Sequence, residues 1–338
     1  MKKAVILFNL GGPDKLENVE PFLFNLFNDP AIISVPSIFR YPLAKFISKR
    51  RAPIAKNIYR EIGNKSPILE LTQDQAKSLE NNLLEKGDYK CFIVMRCWRP
   101  RASDVIKKVR EYNPEEIILL PLYPQFSAST SGSSINEWNK ICKKENYKVK
   151  TKTICCYPTE NNFIESHISL IKKALKILEN NNFKLIFSAH GLPENKIKNG
   201  DPYQWQVEAT VKAIMSKMKN ENLDYTISYQ SRVGPLKWIG PSTEEVIIKY
   251  SKEKRGIVIV PIAFVSEHSE TLVELDIEYK KLAKKNGCNF YKRVPALGIE
   301  ENFIKGLTEL VLQKQTKGNF VSSVMCPNKY IKCPCLGL

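Results

Sequence analysis

Short apolar, β-branched runs alternate along this chain with longer stretches whose apolar residues recur at helical spacing. Runs at Ala4–Asn9, Cys91–Met95, Glu116–Leu122 and Lys152–Cys156 predict strands in the first half. Lys184–Ser188, Tyr225–Tyr229, Gly256–Ala263 and Asn289–Val294 do so in the second. Between them, Gln73–Lys86, Asn161–Glu179, Trp205–Met218 and Thr271–Lys285 carry the spacing of amphipathic helices. The alternation predicts parallel sheets built from β-α-β units, and uninterrupted runs such as Ile117 to Leu120 predict strands covered by helices on both faces. Polar connectors fall at Asn220–Leu223 and Ser251–Arg255, and no short repeat is present. Each half opens with a strand running into a Gly/Pro loop, Asn9-Leu-Gly-Gly-Pro13 and Ala189-His-Gly-Leu-Pro193. The expected fold is therefore α/β, with two Rossmann-like lobes at residues 1–150 and 151–315 and a tail at 316–338, where the pattern stops.

Composition narrows this picture only modestly. A chain of 338 residues, 43% hydrophobic and 26% charged, suits two folded domains. No apolar run approaches the roughly 18 residues of a membrane span. The Ala4–Phe8 run behind Lys2-Lys3 is too short for a signal peptide, so a cytoplasmic protein is expected. The net charge of +17, from 52 basic against 35 acidic side chains, favours anionic partners. No nucleic-acid-binding motif and no basic stripe interleaved with aromatics accompanies it, so nucleic acid is not expected.

Chemistry is concentrated in a few residues. Of three histidines, His190 and His268 follow strands, where open α/β sheets place their ligands, whereas His167 lies on a polar helix and is expected at the surface. A histidine at a strand end is commonly a hydrogen-bonded structural residue; two in matching loops point to a site. After His268, Glu270, Glu274 and Glu278 recur at i, i+4 and i+8, as a carboxylate stripe along one helix face. Such a stripe is usually a solvated face, but beside a histidine in a basic protein it suits divalent metal or proton traffic.

Several strings, taken in order, resemble ferrochelatase. They are Asn9-Leu-Gly-Gly-Pro13, Lys49-Arg-Arg51, Ser66-Pro67, Pro124-Gln-Phe-Ser127 with Ser131-Gly-Ser-Ser134, and Ser188-Ala-His-Gly-Leu-Pro193. Gly200-Asp-Pro-Tyr203, Gln230-Ser-Arg-Val-Gly-Pro235 with Trp238-Ile-Gly-Pro241, and Glu267-His-Ser-Glu-Thr-Leu-Val-Glu-Leu-Asp276 complete the set. The resemblance implies insertion of Fe²⁺ into protoporphyrin IX, with porphyrin and ferrous iron as substrates and no organic cofactor. It makes His190 the active-site histidine and Glu270 the acidic residue facing it across the porphyrin, the two forming the catalytic and metal-handling pair, with Glu274 continuing a carboxylate line. Leu10 and Arg96 would contact substrate, as would Tyr123, Ser127, Ser129 and Thr130, while Lys49, Arg50 or Arg51 would lie near the propionates. Cys97 stands where many family members carry a pocket tyrosine, so that contact does not carry over. The chemistry suits the residue types: a base near neutral pH removes pyrrole protons, and a weak imidazole–carboxylate set holds Fe²⁺ without trapping it.

Nine cysteines, three of them in the last thirteen residues, require their own explanation. Cys326, Cys333 and Cys335 form a C-x₆-C-x-C tail suited to soft-metal or iron–sulfur ligation, although a zinc knuckle or chance cysteines would share the pattern. The resemblance extends to ferrochelatases with a 2Fe–2S cluster held by three C-terminal ligands and one internal ligand. In animal relatives the internal cysteine falls at Ser166, so that ligand is absent here, and Cys155 or Cys156, at a strand end, are the candidates for it. The alternatives are a porphyrin or haem carrier without catalysis and a related chelatase for another metal. A monomer or homodimer is expected. Peripheral contact with the inner membrane face is expected through Phe22–Phe27 and Tyr41–Arg51.

Overall fold

A computed structural model describes residues 1–178, 182–219, 222–232, 234, 236–314, 319–323 and 326–335. Glu179, Asn220, Val233, Pro235 and Thr316, which figure in the expected elements, motifs and tail, lie outside them. Contacts divide the chain into two units: Met1–Cys155 with Leu307–Ser322, and Cys156–Gly306 with Ser323–Gly337.

The first unit is built from β1 (Lys2–Asn9), α1 (Val19–Phe27), α2 (Ser37–Arg60), α3 (Ile68–Leu83), β2 (Asp88–Met95) and α4 (Ala102–Tyr112). It continues through β3 (Glu116–Pro121), α5 (Ser131–Lys144) and β4 (Lys150–Cys156). Its sheet has the order β2-β1-β3-β4-β9, where β9 is Phe320–Ser322, and β1 pairs in parallel with both β2 and β3. All six residues of β3 are buried, as a run with no polar alternation requires of a strand covered on both faces. Ile6, Phe8, Leu119 and Trp138 belong to one of its cores. The expected strand at Glu116–Leu122 is thus present, one residue shorter.

The second unit holds α6 (Asn161–Lys176), β5 (Phe183–His190), α7 (Glu194–Lys198), α8 (Tyr203–Lys217), β6 (Tyr225–Gln230), α9 (Thr243–Lys252) and β7 (Gly256–Pro261). A π-helical segment, Glu270–Glu278, then runs into α10 (Tyr279–Lys285) and β8 (Tyr291–Arg293). The sheet order is β6-β5-β7-β8, all parallel. The chain ends with α11 (Glu301–Leu312) and the short strand β9 (Phe320–Ser322), which joins the first sheet and was not foreseen. Two parallel sheets flanked by helices are the fold class the pattern predicts.

Two expectations are corrected here. The helix expected at Thr271–Lys285 begins one residue earlier, and its first nine residues are π- rather than α-helical. His167 is buried instead of exposed: it follows Phe163 by one turn on the apolar stripe of α6, and their rings meet edge-on at 4.8 Å. Burial drives its pKa down to about 3, so it is a neutral core residue.

Candidate active site

Parallel register brings the ends of β5 and β6 level, with His190 opposite Gln230. Ser231, the next residue, turns the chain with φ +60°, a left-handed conformation that non-glycine residues seldom adopt. The π-helical segment starts beyond β7 and supplies two carboxylates to the same place.

His190 Nδ1 lies 2.8 Å from Glu270 Oε2, so the two side chains touch directly and do not face each other across a ring as the resemblance implies. Ser231 donates its hydroxyl to Glu274 Oε2 at 2.5 Å, and that Oγ lies 3.2 Å from Glu270 Oε2. Glu274 receives three more donors: the Ser231 backbone N–H at 2.9 Å, Gln230 Nε2 at 3.1 Å and Tyr279 Oη at 2.9 Å. Gln230 is oriented from behind by Ser188, whose hydroxyl donates to Oε1 at 2.7 Å. That contact fixes which end of the amide faces Glu274. His190 keeps 39% of its side chain exposed, so the pair is open to a partner rather than sealed in the core.

Electrostatics push the two carboxyls apart. Burial alone would raise Glu270, but the His190 imidazolium, His268 and the Ser231 hydroxyl overturn this and hold it at about 2. Glu274 is raised, first by burial and then by the neighbouring Glu270 charge, against the pull of Ser231 and Tyr279. For His190, burial lowers the pKa, and the charge and hydrogen bond of Glu270, with Glu274 behind, more than reverse that. His268 is pushed down by burial, stacks edge-on against Phe264 at 4.6 Å and anchors the start of the π segment through Thr271. Glu278 is exposed, so the stripe ends at Glu274.

The arrangement of this segment depends on contacts the sequence pattern did not single out. Arg293 grips Asp276 with two nitrogens at 2.7 Å and Glu267 with a third at 2.8 Å, tying both ends of the loop–helix junction to β8. Gln230 and Ser231 stood in one of the family strings without an assigned role, and Tyr279 stood in none. Hydroxyls and amides carry no distinctive spacing, and Tyr279 meets Glu274 from five residues on, a register that belongs to the wider π turn.

The residues named from the first unit are placed as follows. Leu10 is half-buried and its carbonyl accepts from the Cys97 N–H at 2.8 Å. Arg96 bonds Asp29 at 2.9 Å, Glu137 at 3.4 Å and Ser133 at 2.6 Å, so its guanidinium is already committed to two carboxylates. Ser127 and Ser129 share a 2.8 Å hydroxyl contact, and Thr130 immediately precedes α5. Tyr123 is half-buried, and burial raises its phenol. Arg51 is half-buried on α2, beside the exposed Lys49 and Arg50. Cys97 is buried in a hydrophobic cluster with Val19, Phe22 and Tyr59.

The cysteines form a second group. Cys155, Cys333 and Cys335 place their sulfurs within 4.8 Å of one another, all buried. Gln206 Nε2 donates to Cys156 Sγ at 3.3 Å and Cys326 Sγ at 3.2 Å. Cys326 is raised by its hydrogen bond with Cys333 and then by burial. The tail is held by Gly200, whose carbonyl accepts from Lys332 at 3.0 Å; at φ +88°, a side chain there would meet the Ile331 backbone nitrogen at 2.9 Å. A buried cysteine cluster near the C-terminus could hold a metal.

Two solved structures share the fold. SirB from Bacillus subtilis with Fe³⁺ superposes with TM-score 0.52 at 14% identity, covering 92% of this chain and 95% of that one. The sirohydrochlorin chelatase SirB from B. subtilis subspecies spizizenii, in complex with cobalt, gives 0.51 at 11% identity, covering 90% and 92%. The fold is thus that of a chelatase. The ferrochelatase family model matches residues 2–315. Ferrochelatase from Pelagibacter ubique is 65% identical over 99% of each chain, and that from Rickettsia felis 51% identical over 99% of each. The chain belongs to the ferrochelatase family: it is a metal-chelating lyase whose substrates are a porphyrin and iron. The readings as a silent carrier or a chelatase for another metal are not favoured.

Proposed function

We propose that this chain inserts Fe²⁺ into protoporphyrin IX, with His190 as the base that removes a pyrrole proton. The 2.8 Å contact between His190 Nδ1 and Glu270 carries this reading. A carboxylate on Nδ1 fixes the neutral tautomer with its proton there, which leaves Nε2 as the basic nitrogen. When Nε2 accepts the proton, the imidazolium forms against Glu270, which is held ionised. Glu274, with its raised pKa, takes the role of proton acceptor behind the pair, the division of labour expected when neighbouring carboxyls are pushed apart. The imidazole–carboxylate set is weak enough for Fe²⁺ to pass to the ring. Leu10, Arg51, Tyr123, Ser127 and Thr130 as macrocycle or propionate contacts rest on the family resemblance. Arg96 serves in the same reading as a rigid support, through Asp29 and Glu137.

The cysteine group is proposed to hold a 2Fe–2S cluster through Cys155, Cys326, Cys333 and Cys335, with Cys156 beside Gln206. The soft donor set and its burial fit such a cluster, which supplies one-electron chemistry when bound. Contact with an anionic membrane surface is proposed through α2. Phe22 and Leu23 of α1 are buried, whereas Ile38, Phe39 and Phe46 of α2 stand 63–75% exposed beside Lys45, Lys49 and Arg50.

The activity is tested by anaerobic incubation with Fe²⁺ and protoporphyrin IX, following porphyrin fluorescence. Quenching with formation of haem absorption is expected. Binding of porphyrin with no metallation would leave a carrier.

A further inference from the structure

We propose that Ser231 is a positioning residue that sets the spacing between Glu270 and Glu274; this rests on the reading of those two carboxylates given above. Three observations converge on it. Its backbone is left-handed, at φ +60°, where a serine gains nothing sterically and a glycine would fit without cost. That conformation aims both of its donors the same way, so that N–H and Oγ–H reach the two oxygens of Glu274 at 2.9 and 2.5 Å. The same Oγ lies 3.2 Å from the Glu270 oxygen that His190 holds. One hydroxyl therefore stands between two carboxylates that would otherwise repel each other across a poorly solvated gap.

The surrounding donors cannot replace it. Gln230 is locked by Ser188 and reaches Glu274 only, and Tyr279 likewise bonds Glu274 from the far side. His190 hydrogen-bonds Glu270 and feels Glu274 only through its charge. Among the described residues, Ser231 is the single side chain hydrogen-bonded to both carboxylates. If the distance between two carboxylates determines how Fe²⁺ is presented to the ring, removing the hydroxyl disturbs the metal side of the reaction and leaves porphyrin binding alone.

The test is steady-state kinetics of Ser231→Ala and Ser231→Gly in the full chain, varying Fe²⁺ and protoporphyrin IX separately, with thermal midpoints recorded. Both variants keep the backbone N–H bond to Glu274, and the glycine variant removes the left-handed strain, so it carries the test if the alanine variant fails to fold. A fall of about 10- to 100-fold in kcat/KM for Fe²⁺, with KM for porphyrin unchanged, is expected from the loss of one charge-assisted hydrogen bond. Wild-type iron kinetics in Ser231→Gly would overturn the proposal, as would equal losses toward both substrates, which indicate general loosening. Glu270→Gln and Glu274→Gln run alongside: full activity in these shows the carboxylate reading itself to be wrong, whereas their loss with Ser231→Gly unaffected sinks only the role of Ser231.

Discussion

At the scale of single residues, the site turns on one proton donor–acceptor pair with opposite pH behaviour at its two ends. The Glu270 carboxyl lies at about 2, below its ordinary 4.5. Its pairing therefore stabilises the fold above pH 4.5, and that contribution is lost as pH falls from 4.5 towards 2. His190 is raised above 6.5, so its contribution is complete below 6.5 and is lost as pH rises through the raised value. A base must be unprotonated to act, so the insertion rate is expected to climb with pH across that same raised value. Glu270→Gln removes the largest upward pull on His190. Its acid limb is expected to move to lower pH, while the plateau rate drops by about 10²-fold, as loss of acid–base support typically costs. A pH–rate series on both proteins checks this; an acid limb that stays in place would show that the two side chains are not coupled.

At the scale of elements, the ends of β4, β5 and β6 and the start of the π segment do most of the placing. Strand β4 ends in two adjacent cysteines, and alternation along a strand sends their side chains to opposite faces. Cys155 groups with Cys333 and Cys335, while Cys156 lies outside that group and shares Gln206 with Cys326. Cys155→Ser is therefore expected to abolish visible absorption and bound iron and sulfide, and Cys156→Ser to retain them, in protein purified without air. The reverse result would exchange the two assignments. This distinction was not legible in the sequence, which showed a C-x₆-C-x-C tail and a Cys-Cys pair but not which sulfur faced which. The strands themselves were legible, because runs such as Ile117 to Leu120 leave no other way to bury their side chains. His190 stood out as an imidazole at the end of an apolar strand, and Glu270 and Glu274 as carboxylates at i, i+4 after His268. The π geometry was not, since an i, i+4, i+8 row reads as an ordinary helix until Ser231 and Arg293 are seen holding it.

At the scale of the whole molecule, the proposed membrane contact rests on a formal charge of +17 and the exposed aromatic and basic side chains of α2. Among the described residues, no helix is long and apolar enough to cross a membrane. Each lysine or arginine near an anionic bilayer contributes about 1 kcal/mol and is screened by salt. Co-sedimentation with vesicles containing phosphatidylserine is expected at low ionic strength. High salt should abolish it, and Phe39→Ser with Phe46→Ser should weaken it by about tenfold or more. Binding that ignores both salt and these substitutions would remove α2 as the contact.

In the proposed mechanism the imidazole of position 190 performs the deprotonation. A single-turnover experiment with His190→Ala, loaded with protoporphyrin IX and mixed anaerobically with Fe²⁺, addresses it directly. The variant is expected to bind porphyrin as the wild type does, with the metallation rate lower by about 10²- to 10⁴-fold. Metallation at an undiminished rate would contradict the account.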